Sequence, residues 1–138
     1  MDYSQAFAIS ASGMTLERTR VEVASLNLAN ANTVAGPEGR TYQPLRVVSR
    51  ASFGETVAQG LAAVPTASVE PTLQPPRMVY EPGHPMADGR GFVAYAGVDP
   101  ATEMVTLMGA MRSYEANVAA MNTSRNMALK ALEIGGNA

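Results

Sequence analysis

The sequence predicts a mainly α protein: long N- and C-terminal helices paired as an antiparallel coiled coil, with a small insert of short β-strands between them. Three observations carry this. All nine prolines lie between Pro37 and Pro100, so both ends lack the residue that breaks helix interiors. Apolar residues recur every seven positions at both ends. The middle is punctuated by Pro and Gly around short β-branched and aromatic runs. The expected divisions are an N-terminal coiled-coil helix over 1–33, a Pro/Gly-rich β-containing region over 34–99, and a C-terminal coiled-coil helix over 100–138 that pairs with the first.

The N-terminal segment carries two heptad rows. Phe7, Met14, Val21 and Leu28 form one, and Ile9, Leu16 and Val23 the other. An offset of two residues turns a helix by about 200°, so the rows lie on nearly opposite sides. A surface helix normally shows one apolar stripe. Two stripes call for burial from two sides, by a neighbouring subunit or by a central place in a monomeric bundle. Asn30 extends the second row and Asn27 lies on the same side. Amides at a buried helix contact fix register and partner at some cost in stability. Asn32, near the helix end, suits a left-handed cap. The alternative places all three amides on a solvated last turn.

At the other end, Pro100 suits the first helical position, with Asp99 as N-cap and Glu103 in the first turn. The a/d row reads Met104, Leu107, Met111, Tyr114, Val118, Met121, Arg125, Ala128 and Leu132. Lys130 suits the last turn, and Gly135-Gly136 reads as a helix stop. Five methionines between Met104 and Met127 make the helix adaptable. Gly109 weakens it by about 1 kcal/mol unless it permits close packing. Between the ends, Leu45–Arg50, Arg77–Glu81 and Gly91–Tyr95 read as strands, and 54–76 as a weak strand pair with mobile loops. There is no internal repeat.

Several function classes recede. Net charge is −2 with scattered basic residues, which is no phosphate-binding footprint, so no nucleic acid is expected. There are no cysteines, hence no thiolate metal site or Cys nucleophile. No apolar run reaches the roughly 18 residues of a membrane span, so direct membrane insertion is not expected. The N-terminus lacks the basic and apolar regions of a cleaved signal. The one histidine, His84, lies between Pro82 and Pro85 and reads as a turn residue rather than a base or ligand. Glu38, Glu55 and Glu103 show no paired-carboxylate spacing. Neither 36–39 nor Asp88-Gly-Arg-Gly91 opens a helix after a strand, as a phosphate loop would. No catalytic residue, cofactor or metal is expected.

Two stretches carry a family resemblance. Ser12-Gly-Met14 with Val23-Ala-Ser-Leu-Asn-Leu-Ala-Asn-Ala-Asn-Thr33 resembles the N-terminal signature of bacterial flagellar rod and hook proteins. Val79-Tyr-Glu-Pro-Gly-His-Pro-Met-Ala-Asp88, Gly91–Tyr95, Val98-Asp-Pro100, Glu103-Met104 and Arg112-Ser-Tyr-Glu-Ala-Asn-Val118 through Asn122-Thr123 are similar to the proximal rod members in particular. The chain departs from that pattern at Ala96-Gly97, where members often carry Pro-Asn, and over 51–76.

The resemblance implies a structural subunit of the basal-body rod, assembling helically into the shaft that transmits torque and encloses the export channel. Implied partners are other rod proteins, copies of the chain itself, the MS-ring/rod junction protein and the flagellar type III export apparatus. The implied location is the periplasm-spanning rod, reached without signal cleavage. Phe7, Met14, Val21 and Leu28 would pack on the a/d row of the C-terminal helix (Met104, Leu107, Met111, Tyr114, Val118 and Met121). Ile9, Leu16, Val23, Asn27 and Asn30 would meet neighbours, with the asparagines setting register. The terminal helices would be mobile in the free chain and order on assembly. Alternatives are another proximal or distal rod component, a soluble coiled-coil adaptor, and an enzyme using His84.

Overall fold

The computed structural model describes residues 3–50 and 66–136. Two long helices run antiparallel and carry two small sheets near one end. Helix α1 spans Tyr3–Asn30 and helix α2 Pro100–Gly136, about 42 and 56 Å at 1.5 Å per residue. The hydroxyls of α1 do not compete with its helical bonds: Ser12, Thr15 and Thr19 each donate to a carbonyl three or four residues earlier. Asn30 does the same to Leu26 (2.8 Å), and its Oδ1 accepts from the Thr33 hydroxyl as the chain leaves the helix. Helix α2 starts as its sequence predicts. The Asp99 carboxylate accepts from the Ala101 N–H (3.2 Å) and the Thr102 hydroxyl (2.5 Å). Helix α2 runs through Gly135 to Gly136, the last described residue.

The strands are β1 (Leu45–Arg50), β2 (Thr66–Pro71), β3 (Arg77–Tyr80) and β4 (Phe92–Tyr95). Among the described residues they pair as two antiparallel two-stranded sheets, with Val47 opposite Val69 and Val79 opposite Val93. Of the weak strand pair expected within 54–76, β2 is the described strand, and it pairs with β1 outside that stretch; the part of 54–76 before Thr66 lies outside the described residues. Thr33–Ala35 runs alongside β4: Val34 bridges Tyr95, Ala35 N–H donates to Ala94 O (2.8 Å), and Ala96 N–H donates to Thr33 O (3.0 Å). Between β3 and β4 the Asp88 carboxylate accepts from the Arg90 and Phe92 N–H groups (2.9 Å each). Gly91 sits at φ +83°, where a Cβ would press on the Tyr80 ring.

The core lies where α1 ends and α2 begins. Ala31, Ala96 and Val98 pack together with Tyr42 against them, and Val93 is fully buried nearby. Small side chains let the backbones close in. A Cβ on Gly97 would collide with the Pro75 carbonyl oxygen, which gives the Ala96-Gly97 departure a local reason.

Candidate assembly interface

The buried positions of the seam between the helices are small or polar residues. On α1 the buried row is Ser10, Glu17 and Ala24, seven apart, continued by Ala31 just past the helix. Gly13 shares that face, and a Cβ there would sit 2.6 Å from Asn117 Oδ1. On α2, Ala110 is buried, while Glu103, Leu107, Asn117, Val118, Met121, Ser124 and Ala128 are half-buried. Gly13 lies against Asn117, Val21 against Met111 and Tyr114, and Ala24 beside Thr106, which sets the antiparallel register.

This register corrects the predicted packing. Leu107, Val118, Met121 and Ala128 are half-buried as seam residues should be. Met104, Met111 (49% exposed), Tyr114, Arg125 and Leu132 face outward. The seam runs through 103, 110, 117 and 124, one position before 104, 111, 118 and 125, and of that second set Val118 alone is half-buried. Glu, Ala, Asn and Ser occupy the first set. The physical reason is proximity: Gly13, Ala24 and Ala110 admit a neighbouring backbone that methionines would hold off. Gly109, the glycine singled out for close packing, faces open space.

The expected α1 rows separate in the same way. Phe7, Met14, Val21 and Leu28 flank the seam and are half-buried. Ile9 is exposed, and Leu16 and Asn30 are half-buried. Val23 is buried beside Leu45 and Val47 of β1. Asn27 is the clearest correction. Expected to meet neighbours, it is 1% exposed and committed within its own chain. Its Oδ1 accepts from the Tyr42 hydroxyl and the Leu45 N–H (2.9 Å each), and its Nδ2 donates to the Leu45 carbonyl (2.8 Å). One amide thus engages both backbone groups of Leu45 as a neighbouring strand would, fixing β1 to α1. Asn32, exposed, accepts weakly from Arg77 (3.4 Å).

Glu17 is buried in the seam at 7% exposure. Its Oε1 accepts from Arg20 (3.0 Å), and its Oε2 has no partner among the described residues. Sequence reasoning missed the row of Ser10, Glu17 and Ala24 because a search for large apolar repeats passes over it. The seven-residue spacing was the available signal.

Many large apolar side chains therefore stand outside the seam. Met104, Val105, Met108 and Met111 are exposed on α2, and so are Leu132 (72%) and Ile134 (77%) near its end. A cleft of about 440 Å³ runs between the helices, lined by Arg18, Val21, Met111, Tyr114 and Glu115. His84 belongs elsewhere, in the β3–β4 connection. Its Nδ1 accepts from the Met86 N–H (3.1 Å) and its backbone closes turns with Glu81 and Ala87, so it is a turn residue. No group of three metal-ligating side chains occurs among the described residues, and no described helix is long and apolar enough to cross a membrane.

Comparison with known proteins fits this architecture. Residues 7–37 match the family model described as flagella basal body rod protein. Residues 90–134 match the one described as flagellar basal body rod FlgEFG protein C-terminal. The chain is 43% identical to the flagellar basal-body rod protein FlgC of Escherichia coli O6:H1 over 129 residues, 94% of this chain and 95% of the relative. It is 42% identical to FlgC of Salmonella typhimurium, with the same coverage. Identity to FlgC of Bacillus subtilis is 38%, over 92% of this chain and 94% of the relative. With the paired terminal helices and their outward apolar faces, these matches make the chain a member of the FlgC family of flagellar basal-body rod proteins.

Proposed function

We propose that this chain is a structural subunit of the proximal rod, joined to its neighbours through the outer faces of the α1–α2 pair. The carrying observation is the helix pair's distribution of side chains: the buried seam positions Ser10, Glu17, Ala24 and Ala110 are small or polar, while Met104, Val105, Met108, Met111, Leu129, Leu132 and Ile134 are exposed. A contiguous exposed apolar surface marks an interaction site in a soluble chain. The family is structural, and the one histidine is used up in a turn. The finer reading adds assembly with other rod proteins and with copies of itself, contact with the MS-ring junction, delivery by the type III export apparatus without signal cleavage, and torque transmission across the periplasm. The words "basal-body rod protein" in the relatives' names support the location.

The test is a deletion strain complemented with a tagged chain. Recovery of the tagged chain in purified basal bodies, with swimming lost on deletion and restored on complementation, is the expected result. Swimming without the gene, or a tagged chain confined to the cytoplasm of motile cells, would overturn the reading and favour a soluble adaptor.

A further inference from the structure

On the outward flank of α2, one stripe runs nearly the length of the helix. At 100° per residue, Met104, Met111, Tyr114, Val118, Leu129 and Leu132 share that side. Along its first half the stripe is backed by Val21 of α1, which turns it into the cleft lined by Arg18, Val21, Met111, Tyr114 and Glu115. Gly13 opposite Asn117 places Tyr3 level with about residue 127 of the antiparallel helix, so the last two turns of α2 lie past the described part of α1. Leu132 there is 72% exposed. The first part of the stripe is thus a groove, and its last two members, Leu129 and Leu132, stand on a projecting helix end.

Two charges interrupt this surface. Glu115 stands on the rim of the groove, and Arg125 stands in the stripe level with Gln5, just before the projecting end. Both are exposed, and neither has an ion-pair or hydrogen-bond partner among the described residues. They are ten residues apart on one helix, about 15 Å, too far to meet each other. The Arg18 guanidinium on the opposite rim is already taken by Glu22 (3.0 Å), which leaves Glu115 as the open charge of the groove.

We infer that the groove is occupied by the C-terminal half of α2 from a second copy of this chain, with Arg125 of that copy pairing with Glu115. The inference rests on the rod reading and specifies one contact within it. The contact is heterologous, groove to projecting end, so it propagates from copy to copy instead of closing a two-fold dimer. The occupant is argued from complementarity: the same helix supplies exposed Leu129 and Leu132 on one side, and Arg125 as the opposite charge beside them.

Because both charges sit on one chain, charge exchange is a discriminating test. Glu115→Arg alone and Arg125→Glu alone each place like charges across the contact, and each should lower the amount of chain in purified basal bodies about tenfold or more. The double variant reverses the pair and should recover to within about twofold of the original. Such rescue requires copy-to-copy contact, since the two positions cannot meet within one helix. Circular dichroism of the single variants should be unchanged, because both positions are exposed.

Single variants that assemble normally, or a double variant no better than the singles, would overturn the inference. A second measurement uses the absence of native cysteines. Glu115→Cys with Arg125→Cys, treated in basal bodies with a short bismaleimide, should give multiples of 14.5 kDa. Cross-linking only to a rod protein of another size would make that protein the occupant and overturn the second-copy assignment. Absence of the unmodified chain from basal bodies would instead overturn the rod reading, so the two failures are separable.

Discussion

The two ends of the helix pair are held in different ways. Where α1 ends and α2 begins, the chain supplies its own partners: Ala31, Ala96 and Val98 pack together, Asn27 holds Tyr42 and Leu45, and Asp99 caps α2. At the opposite end, Ile9, Met127, Leu129, Leu132 and Ile134 remain exposed. One end is a folded joint and the other an unfilled surface.

The largest expected effect comes from breaking the joint. Asn27→Leu strands the Leu45 N–H and C=O and the Tyr42 hydroxyl, and should cost about 3 kcal/mol, read as a lowered midpoint in urea unfolding. An unchanged midpoint would mean the amide holds nothing. Next, Gly97→Ala forces a Cβ onto the Pro75 carbonyl and should cost about 1–3 kcal/mol by the same measurement. Asp99→Ala removes the α2 cap and should cost about 1 kcal/mol. At the open end, Leu132→Ala should change the stability of the isolated chain by less than about 0.5 kcal/mol while still reducing incorporation into basal bodies.

Amide exchange sharpens the contrast without mutation. In the isolated chain, 127–136 should exchange faster than 20–30, and the difference should shrink in basal bodies. Equal protection along α2 in the isolated chain would erase the comparison.

The smallest effect is on pH. The Thr102 hydroxyl, then the Ala101 N–H, holds the Asp99 carboxyl below its ordinary 3.8; the Phe92 N–H, then that of Arg90, does the same for Asp88. The Ser68 hydroxyl, then Arg50, lowers Glu70 from 4.5. A depressed carboxylate stabilises fully above its unfolded value and loses that contribution as pH falls through its folded one. Stability should therefore be flat from neutral pH down to about 5 and decline below it, first in the β1–β2 pair that holds Glu70.

The two helices, their antiparallel pairing, the α2 cap and three of the four described strands are legible in the sequence. Those features rest on local chemistry: the proline-free ends, the Asp99-Pro100 helix start, the clusters of β-branched residues. Strand β2, Thr66–Pro71, is not individually legible, because Ala, Ser and Pro within it carry little strand preference and its pairing comes from Leu45–Arg50. The seam register escapes the sequence for a related reason. Heptad reading weights large apolar residues, and here the large residues flank the contact while Ser10, Gly13, Ala24 and Ala110 make it. Asn27 is recognisable as an amide needing a partner, but its partners lie 15 and 18 residues away in sequence, beyond any helical pattern.

The outward methionines also have a chemical consequence. Met104, Met108, Met111 and Met127 expose their thioethers in the free subunit. Oxidation to the sulfoxide turns a flexible apolar side chain into a polar, chiral one. A subunit oxidised before incorporation would keep its joint intact and lose its fit to a neighbour, whereas one already seated would shield the same sulfur atoms. On the proposed contact, the period between synthesis and incorporation would be the oxidation-sensitive part of this protein's life, and an oxidised subunit would keep its joint unchanged.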